Sequence, residues 1–147
     1  MESVPSQYGG ANGESTKIAI VIRDDLPAWR KLNVTAFLMS GIIGAAGDLL
    51  GEPYVDASGN VYSRLCRQPV IVLAADSATL SDILERAVKQ GVCLSIYIEE
   101  MFATSNDLDN RAVLSKFRPD NANIVGLALH EKRKTVDRIV KGASKHP

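Results

Sequence analysis

Lys17-Ile-Ala-Ile-Val-Ile-Arg23, Arg23-Asp24-Asp25-Leu26-Pro27 and Val34-Thr-Ala-Phe-Leu-Met-Ser-Gly-Ile-Ile-Gly-Ala-Ala46 read as a strand, a tight loop and a helix. The first stretch is a run of β-branched and apolar residues with charge only at its ends, the pattern of a strand covered on both faces. Asp24, Asp25 and Pro27 end it. Asn33 is a capping residue type and places the start of the helix at Val34. That helix is apolar nearly all round, which predicts burial on every side. Its glycines, at 41, 44 and 47, lower helix propensity and suit close packing.

The same signals recur along the chain. Pro69-Val-Ile-Val-Leu-Ala-Ala75 is a second buried strand with its proline at the tolerated first position. Asp76 or Ser77 caps a helix whose apolar residues Leu80, Ile83, Leu84, Ala87 and Val88 follow the helical period, and Gly91 stands where a left-handed C-terminal cap belongs. Val92-Cys-Leu-Ser-Ile-Tyr-Ile98 and Asn123-Ile-Val-Gly-Leu-Ala-Leu129 are further strands. A short helix over 108–117 and a last helix over 135–143 complete the order. Asp56-Ala-Ser-Gly-Asn60 is turn chemistry between two short Tyr/Val segments and predicts a surface hairpin. Strands that alternate with helices imply an α/β domain with helices on both faces of a parallel or mixed sheet. Ile20, Ile22, Phe37, Leu38, Val72, Leu84, Ile96 and Val125 are the expected core.

The 147 residues suit one domain. Residues 1–16, rich in Gly, Ser and Asn, read as a flexible tail, and 17–147 as a single α/β domain. Seventeen cations balance 17 carboxylates, so no global field draws the chain to nucleic acid or to a membrane. No apolar run reaches the roughly 20 residues of a membrane span, and the N-terminus lacks the pattern of a signal peptide. Two cysteines in apolar surroundings fit reduced, structural thiols, and with the rest predict a cytoplasmic protein.

Strand 17–23, the Arg23-x-Asp25-Leu26 turn and the small-residue helix resemble the opening of type 2 peptidyl-tRNA hydrolases, and the later elements fall in the same order. The likeness is closer to an uncharacterised bacterial family of domains of unknown function, DUF2000. It is carried by Ile22-Arg-Asp-Asp-Leu-Pro-Ala-Trp-Arg-Lys-Leu-Asn-Val-Thr-Ala-Phe37, Glu100-Met-Phe-Ala-Thr104 and Asn110-Arg111, and it covers nearly everything from Lys17 to Pro147. The resemblance implies a three-layer α/β/α fold with a four-stranded mixed sheet of order 2-1-4-3, and it brings no activity with it. The departures from the hydrolase pattern are specific. Aligned with one inserted residue, Asn33 stands at the hydrolase's lysine position and Ser40 at its histidine. Glu99-Glu100-Met101-Phe102-Ala103-Thr104 stands where that family has Asp-Ala-Gly-x-Thr. Lys31 lies two residues from the vacated lysine position.

In an open α/β sheet, ligands sit beyond the carboxyl ends of the strands. Arg23, Asp24 and Asp25 leave the first strand there, and Glu99, Glu100, Thr104, Asn106, Asp107 and Arg111 follow the third. One reading makes these a site for a polar or anionic ligand between two helix N-termini, with Asn33 at its side and Trp29 as a stacking lid. The other has the charges satisfy one another and the helix caps, with Trp29 covering core. Cys93 reads as inert core, and the histidines, His130 and His146, have no metal-ligand spacing, so neither metal nor cofactor is expected. Six cations between 132 and 145 face only Glu131 and Asp137, which allows phosphate contact or a merely solvated helix face.

Three functions fit these residues. One is a small-ligand binding or regulatory module on a hydrolase-like scaffold. Another is a hydrolase of an ester-like bond using Glu99 or Glu100 with Thr104 and a water. The third is an RNA-contacting protein using the basic C-terminal segment. A homodimer is compatible with all three.

Overall fold

The computed structural model describes residues 15–147. Residues 1–14, most of the expected tail, lie outside the described residues; Thr16 already belongs to the first strand. That strand, β1 (Thr16–Arg23), is the middle of a five-stranded mixed sheet. Every residue from Ile18 to Ile22 is buried, as its unbroken apolar run requires. β4 (Val70–Ala75) pairs with it in parallel, and β6 (Ile124–Lys132) antiparallel on the other side. β5 (Cys93–Ile98) adds antiparallel to β6. The order of these four is the 2-1-4-3 arrangement, but the sheet has five strands rather than four. β7 (Ser144–Lys145) pairs antiparallel with β4 and makes the order β5-β6-β1-β4-β7. A two-residue strand has no period to read in a sequence. Its residues lie just beyond what reads as the last helix, and that helix, α4 (Arg133–Ile139), ends four residues earlier than its apolar spacing suggests.

Helices cover both faces. Ile18, Ile20 and Ile22 point to α1 (Ala28–Ala45), which buries Val34, Leu38 and Ile42 against them. Ala19 and Val21 point to the other face, where α2 (Ser77–Gln90) places Leu80, Ile83, Leu84 and Ala87 and α4 places Val136 and Ile139. The ends of α2 are as read. Asp76 accepts a hydrogen bond from the Thr79 amide at 2.8 Å, which holds its carboxyl below the usual range. Gly91 adopts the left-handed conformation at φ 66°. The hairpin is also present, as β2 (Tyr54–Val55) against β3 (Val61–Tyr62) around Asp56. α3 (Asp107–Leu114) begins at the Asn106 cap on the α1 side of the sheet.

α1 departs from the sequence reading in three ways. It starts at Ala28, with Pro27 at the cap position and no side-chain cap, so Trp29 lies in its first turn rather than in a loop. The Pro27 carbonyl accepts from the amides of Arg30 and Lys31, at 3.0 and 3.2 Å, which makes a polar cap at Asn33 unnecessary. The helix is also buried on one stripe only. Phe37, expected in the core, is 54% exposed because it leans over the sheet edge onto Tyr97; Val72 and Ile96 are half-buried. The remaining five expected core residues are buried. Of the helix glycines, only Gly41 allows a close approach: a Cβ there would collide with Ser95 Oγ on β5, whereas at Gly44 or Gly47 it would meet no described atom within 4 Å.

Two expected outcomes follow from this packing. Leu84→Ala should cost about 2–5 kcal/mol in denaturant unfolding; a loss under about half a kcal/mol would show that the α2 face is not packed as described. His130, on β6, is fully buried with Nε2 2.9 Å from Thr16 Oγ1. Burial pushes its pKa below the ordinary histidine value, against the smaller opposing pull of Glu131 and Asp48. The unfolded chain therefore binds this proton first as the pH falls, so the contribution of neutral His130 is lost on acidification through about pH 6.5. Urea unfolding from about pH 7.5 to about 5.5 should show a decline no steeper than about 1.4 kcal/mol per pH unit for this one proton. His130→Asn should flatten the decline, and an unchanged slope would remove His130 as its source.

Candidate functional site

β1 and β5 are both antiparallel to β6, so they run in the same direction and their following loops open at one edge of the sheet. Arg23 ends β1. Its Nε meets Asp25 Oδ1 at 2.5 Å and its Nη2 meets Glu99 Oε2 at 3.0 Å, just beyond β5. Arg30, in the first turn of α1, reaches the other Glu99 oxygen at 3.2 Å. Burial alone would lower the Arg23 pKa, but the hydrogen bond and charge of Asp25, with the charge of Glu99, outweigh it and raise it. Glu99 is thus clamped between two guanidiniums, and these charges do satisfy one another.

The open space lies beside this chain of charges. Between α1 and the single-turn segment Glu99–Ala103 with α3 runs a cleft of about 390 Å³. Its wall is a relay of aromatic rings. Trp29 and Phe102 sit edge to face with centroids 6.4 Å apart, Phe102 and Tyr97 are 5.3 Å apart, and Tyr97 and Phe37 are 5.8 Å apart. The Arg30 guanidinium lies 4.3 Å from the Phe102 centroid and 5.4 Å from that of Trp29, so its charge faces π-clouds on one side and Glu99 on the other. Past Phe37 and Tyr97 the cleft continues into a second hollow of about 310 Å³, floored by Gly41 and Ser95 and reached by Arg111.

The polar lining comes from both walls. Asn33 faces the cleft from α1. Thr104 Oγ1 contacts the Met101 carbonyl at 2.9 Å and, more closely, the Asn110 side-chain amide. A hydroxyl has one proton to give, so Thr104 Oγ1 donates either to the Met101 carbonyl or to Asn110 Oδ1. Asn106 accepts from the Asp109 amide at 2.8 Å, capping α3, and still lines the cleft. Burial pushes the Tyr97 phenol pKa up, so it is neutral at physiological pH.

The sequence candidates therefore divide. Trp29, Asn33, Thr104 and Asn106 line the cleft, and Arg111 lines its continuation while paired with Asp107 at 2.8 Å. Arg23, Asp25 and Glu99 form the ion-pair chain and do not line it. Glu100 does not line it either; its Oε2 is buried with no hydrogen-bond partner among the described residues. Phe37, Tyr97, Met101, Phe102 and Asn110 line the cleft without having been singled out as site residues. A signal for four of them was present, since Phe37, Met101, Phe102 and Asn110 fall inside the stretches that carry the resemblance.

Elsewhere, Cys66 and Cys93 are free and half-buried, and burial pushes the Cys93 thiol pKa up. Among the described residues no group of three or more His, Cys, Asp or Glu side chains is placed to hold a metal ion. No helix among them is long and apolar enough to cross a membrane.

No curated protein matches the chain. A solved structure of a protein of unknown function from Agrobacterium tumefaciens strain C58 is similar to it at 54% identity, with a TM-score of 0.89 over 90% of this chain and 98% of that one. Residues 16–147 match the family described as protein of unknown function, DUF2000, and the chain belongs to that family.

Proposed function

We propose that the chain is a small-ligand binding or regulatory module whose ligand lies in the aromatic cleft between α1 and α3. The observation that carries this reading is the relay Trp29–Phe102–Tyr97–Phe37, open along one side and bordered by Asn33, Thr104, Asn106 and Asn110. Two of these rings, Trp29 at 61% and Phe37 at 54%, leave much of their surface in water. Rings offered in this way suit a flat ligand that stacks, and neutral amides and a hydroxyl suit one that also donates and accepts hydrogen bonds. The nearby charges favour this ligand over a highly charged one, because Arg23, Arg30, Asp25 and Glu99 already neutralise one another.

The scaffold in this reading is that of the type 2 peptidyl-tRNA hydrolases. The arrangement of the four long strands and the helices on both faces support it. The hydrolase machinery is not reproduced on it. Asn33 at the lysine position is neutral, and Ser40 at the histidine position is spent on the Phe37 carbonyl at 2.5 Å. Lys31, the nearest substitute, has its Nζ 3.2 Å from His146 Nε2 and does not line the cleft. An ester hydrolase using Glu99 as general base is disfavoured by geometry: both its carboxylate oxygens are occupied by Arg23 and Arg30, and it does not line the cleft.

Trp29 is the only tryptophan, so its emission reports the cleft directly. A library of planar heteroaromatic compounds should yield ligands that change Trp29 fluorescence and raise the unfolding temperature. Thr104→Val should weaken such a ligand by about tenfold, the cost of roughly one hydrogen bond to a buried polar group. Trp29→Leu should weaken it further without unfolding the domain. Hits that bind both variants as well as the parent would place the ligand elsewhere, and a screen without any hit would count against the module.

The absent cation and imidazole set a second expectation. An N-blocked aminoacyl-tRNA incubated with the protein should remain intact, since serine does not titrate near neutral pH and cannot act as the missing acid or base. Cleavage at an ordinary enzymatic rate, abolished by Lys31→Ala, would show that the cation had moved rather than vanished.

A further inference from the structure

A separate hollow, of about 420 Å³, lies far from the aromatic cleft in the fold, and its lining is of a different kind. Among the described residues it is lined by Ser15, Lys132, Arg133, Lys134, Thr135 and Arg138. These come from the chain entering β1, the end of β6 and the start of α4. β6 runs antiparallel to β1, so its end lies at the sheet edge opposite the one where Arg23 and Glu99 meet. α4 packs on the face away from α1. Four cations and two hydroxyls therefore converge on one concavity, and no carboxylate is among them.

The local acids are otherwise engaged. Asp137 is bound by Lys17 at 2.6 Å, and Glu131 Oε1 accepts from the Lys132 amide at 3.1 Å. Arg133 is positioned by the Ser15 backbone and hydroxyl: its amide donates to the Ser15 carbonyl at 3.1 Å, and its Nε lies 3.3 Å from Ser15 Oγ. That contact uses one edge of the guanidinium. No ion pair among the described residues holds Arg133, Lys134 or Arg138. Placing like charges around one hollow raises the energy of the folded chain unless an anion occupies it. In a chain with zero net charge, this concentration is local rather than a consequence of composition.

We propose that this basic hollow is a phosphate-binding site. Arg133 and Arg138 present planar forks that match phosphate oxygens, Lys134 adds a mobile point charge, and the Thr135 hydroxyl is a neutral donor. The volume exceeds what a lone inorganic ion needs and falls within the range of small-ligand pockets. The chemistry recognised is thus a phosphorylated group on a larger molecule, either a small phosphorylated compound or the backbone of a single-stranded RNA. The site is independent of the aromatic cleft, and neither proposal falls with the other.

The test uses the full chain at low ionic strength with two probes, inorganic pyrophosphate followed by calorimetry and a labelled short oligouridylate followed by fluorescence anisotropy. Arg133→Gln with Arg138→Gln should weaken binding by about tenfold or more, and should lower the slope of log affinity against log salt for the oligonucleotide by about two. Lys134→Gln, an exposed single change, should weaken it by a smaller factor at an unchanged unfolding temperature and guards against misfolding of the double variant. Lys116→Gln, a cation outside the hollow, should leave binding unchanged. Pyrophosphate binding alone assigns a small phosphorylated ligand, and oligouridylate binding alone assigns an RNA backbone. Failure of both probes to bind the parent protein overturns the proposal. So does a loss with Lys116→Gln equal to that with the double variant, which would reduce the effect to general charge.

Discussion

From Ile18 to Ile22 no side chain keeps more than a trace of its surface in water. A strand in that state cannot lie at a sheet edge, and it needs apolar cover above and below. β4 and β6 supply the neighbours, α1 the cover on one side, and α2 with α4 the cover on the other. The arrangement leaves little freedom at the place where β1 stops. Arg23 follows the last buried residue and is forced to the rim with its stem partly buried. There its guanidinium finds Glu99 just beyond β5 and Asp25 from its own loop. The burial of β1 thus sets the position of the ion-pair chain, and the ion-pair chain ties the first turn of α1 to the segment that follows β5.

That tie fixes the cleft. Arg30 bridges Glu99 and the rings of Phe102 and Trp29, so the same guanidinium that closes the charge network also orients the aromatic wall. The gap between α1 and α3 is then set at two levels. Near the network the elements are held by charge. Further along, Gly41 lets α1 settle close over Ser95, and Phe37 leans onto Tyr97 instead of entering the core.

The edge of the sheet that carries this site was legible in the sequence, because two like-directed strands must deliver their following loops to the same edge. So were Trp29, Asn33, Thr104 and Asn106 of its lining; the aromatic stripe that joins Trp29 to Phe37 was not, and the reason is the start of α1. With Asn33 taken as a cap, Trp29 falls in a loop and no pattern connects it to Phe37. With the helix starting at Ala28, Trp29, Asn33 and Phe37 stand at i, i+4 and i+8 and form one stripe facing α3. A proline at the cap position and a carbonyl that accepts two amides replaced the side-chain cap, and neither leaves a mark that residue preference alone can read. The same limit applied to the charges. Arg23, Asp25 and Glu99 were recognisable as neighbours, but only their geometry distinguishes mutual neutralisation from a ligand site.

The exposure of the aromatic wall has an energetic side. Trp29, Leu32 and Phe37 are 61%, 72% and 54% exposed on one helix. A side chain of this size left in water forgoes roughly 1.5–3 kcal/mol relative to full burial. A lone exposed apolar residue is ordinary on a protein surface, but rings grouped along a concave wall are not. Nothing in the local backbone demands aromatics there, since α1 already anchors itself through Val34, Leu38 and Ile42 on the neighbouring stripe. Their contribution to folding is therefore small compared with what they would contribute to holding a ligand. Covering even half of the exposed area of Trp29 and Phe37 would return a few kcal/mol, offset in part by the cost of immobilising the ligand. If the cleft holds a ligand, as proposed, the rings would supply most of the affinity and the polar lining the orientation.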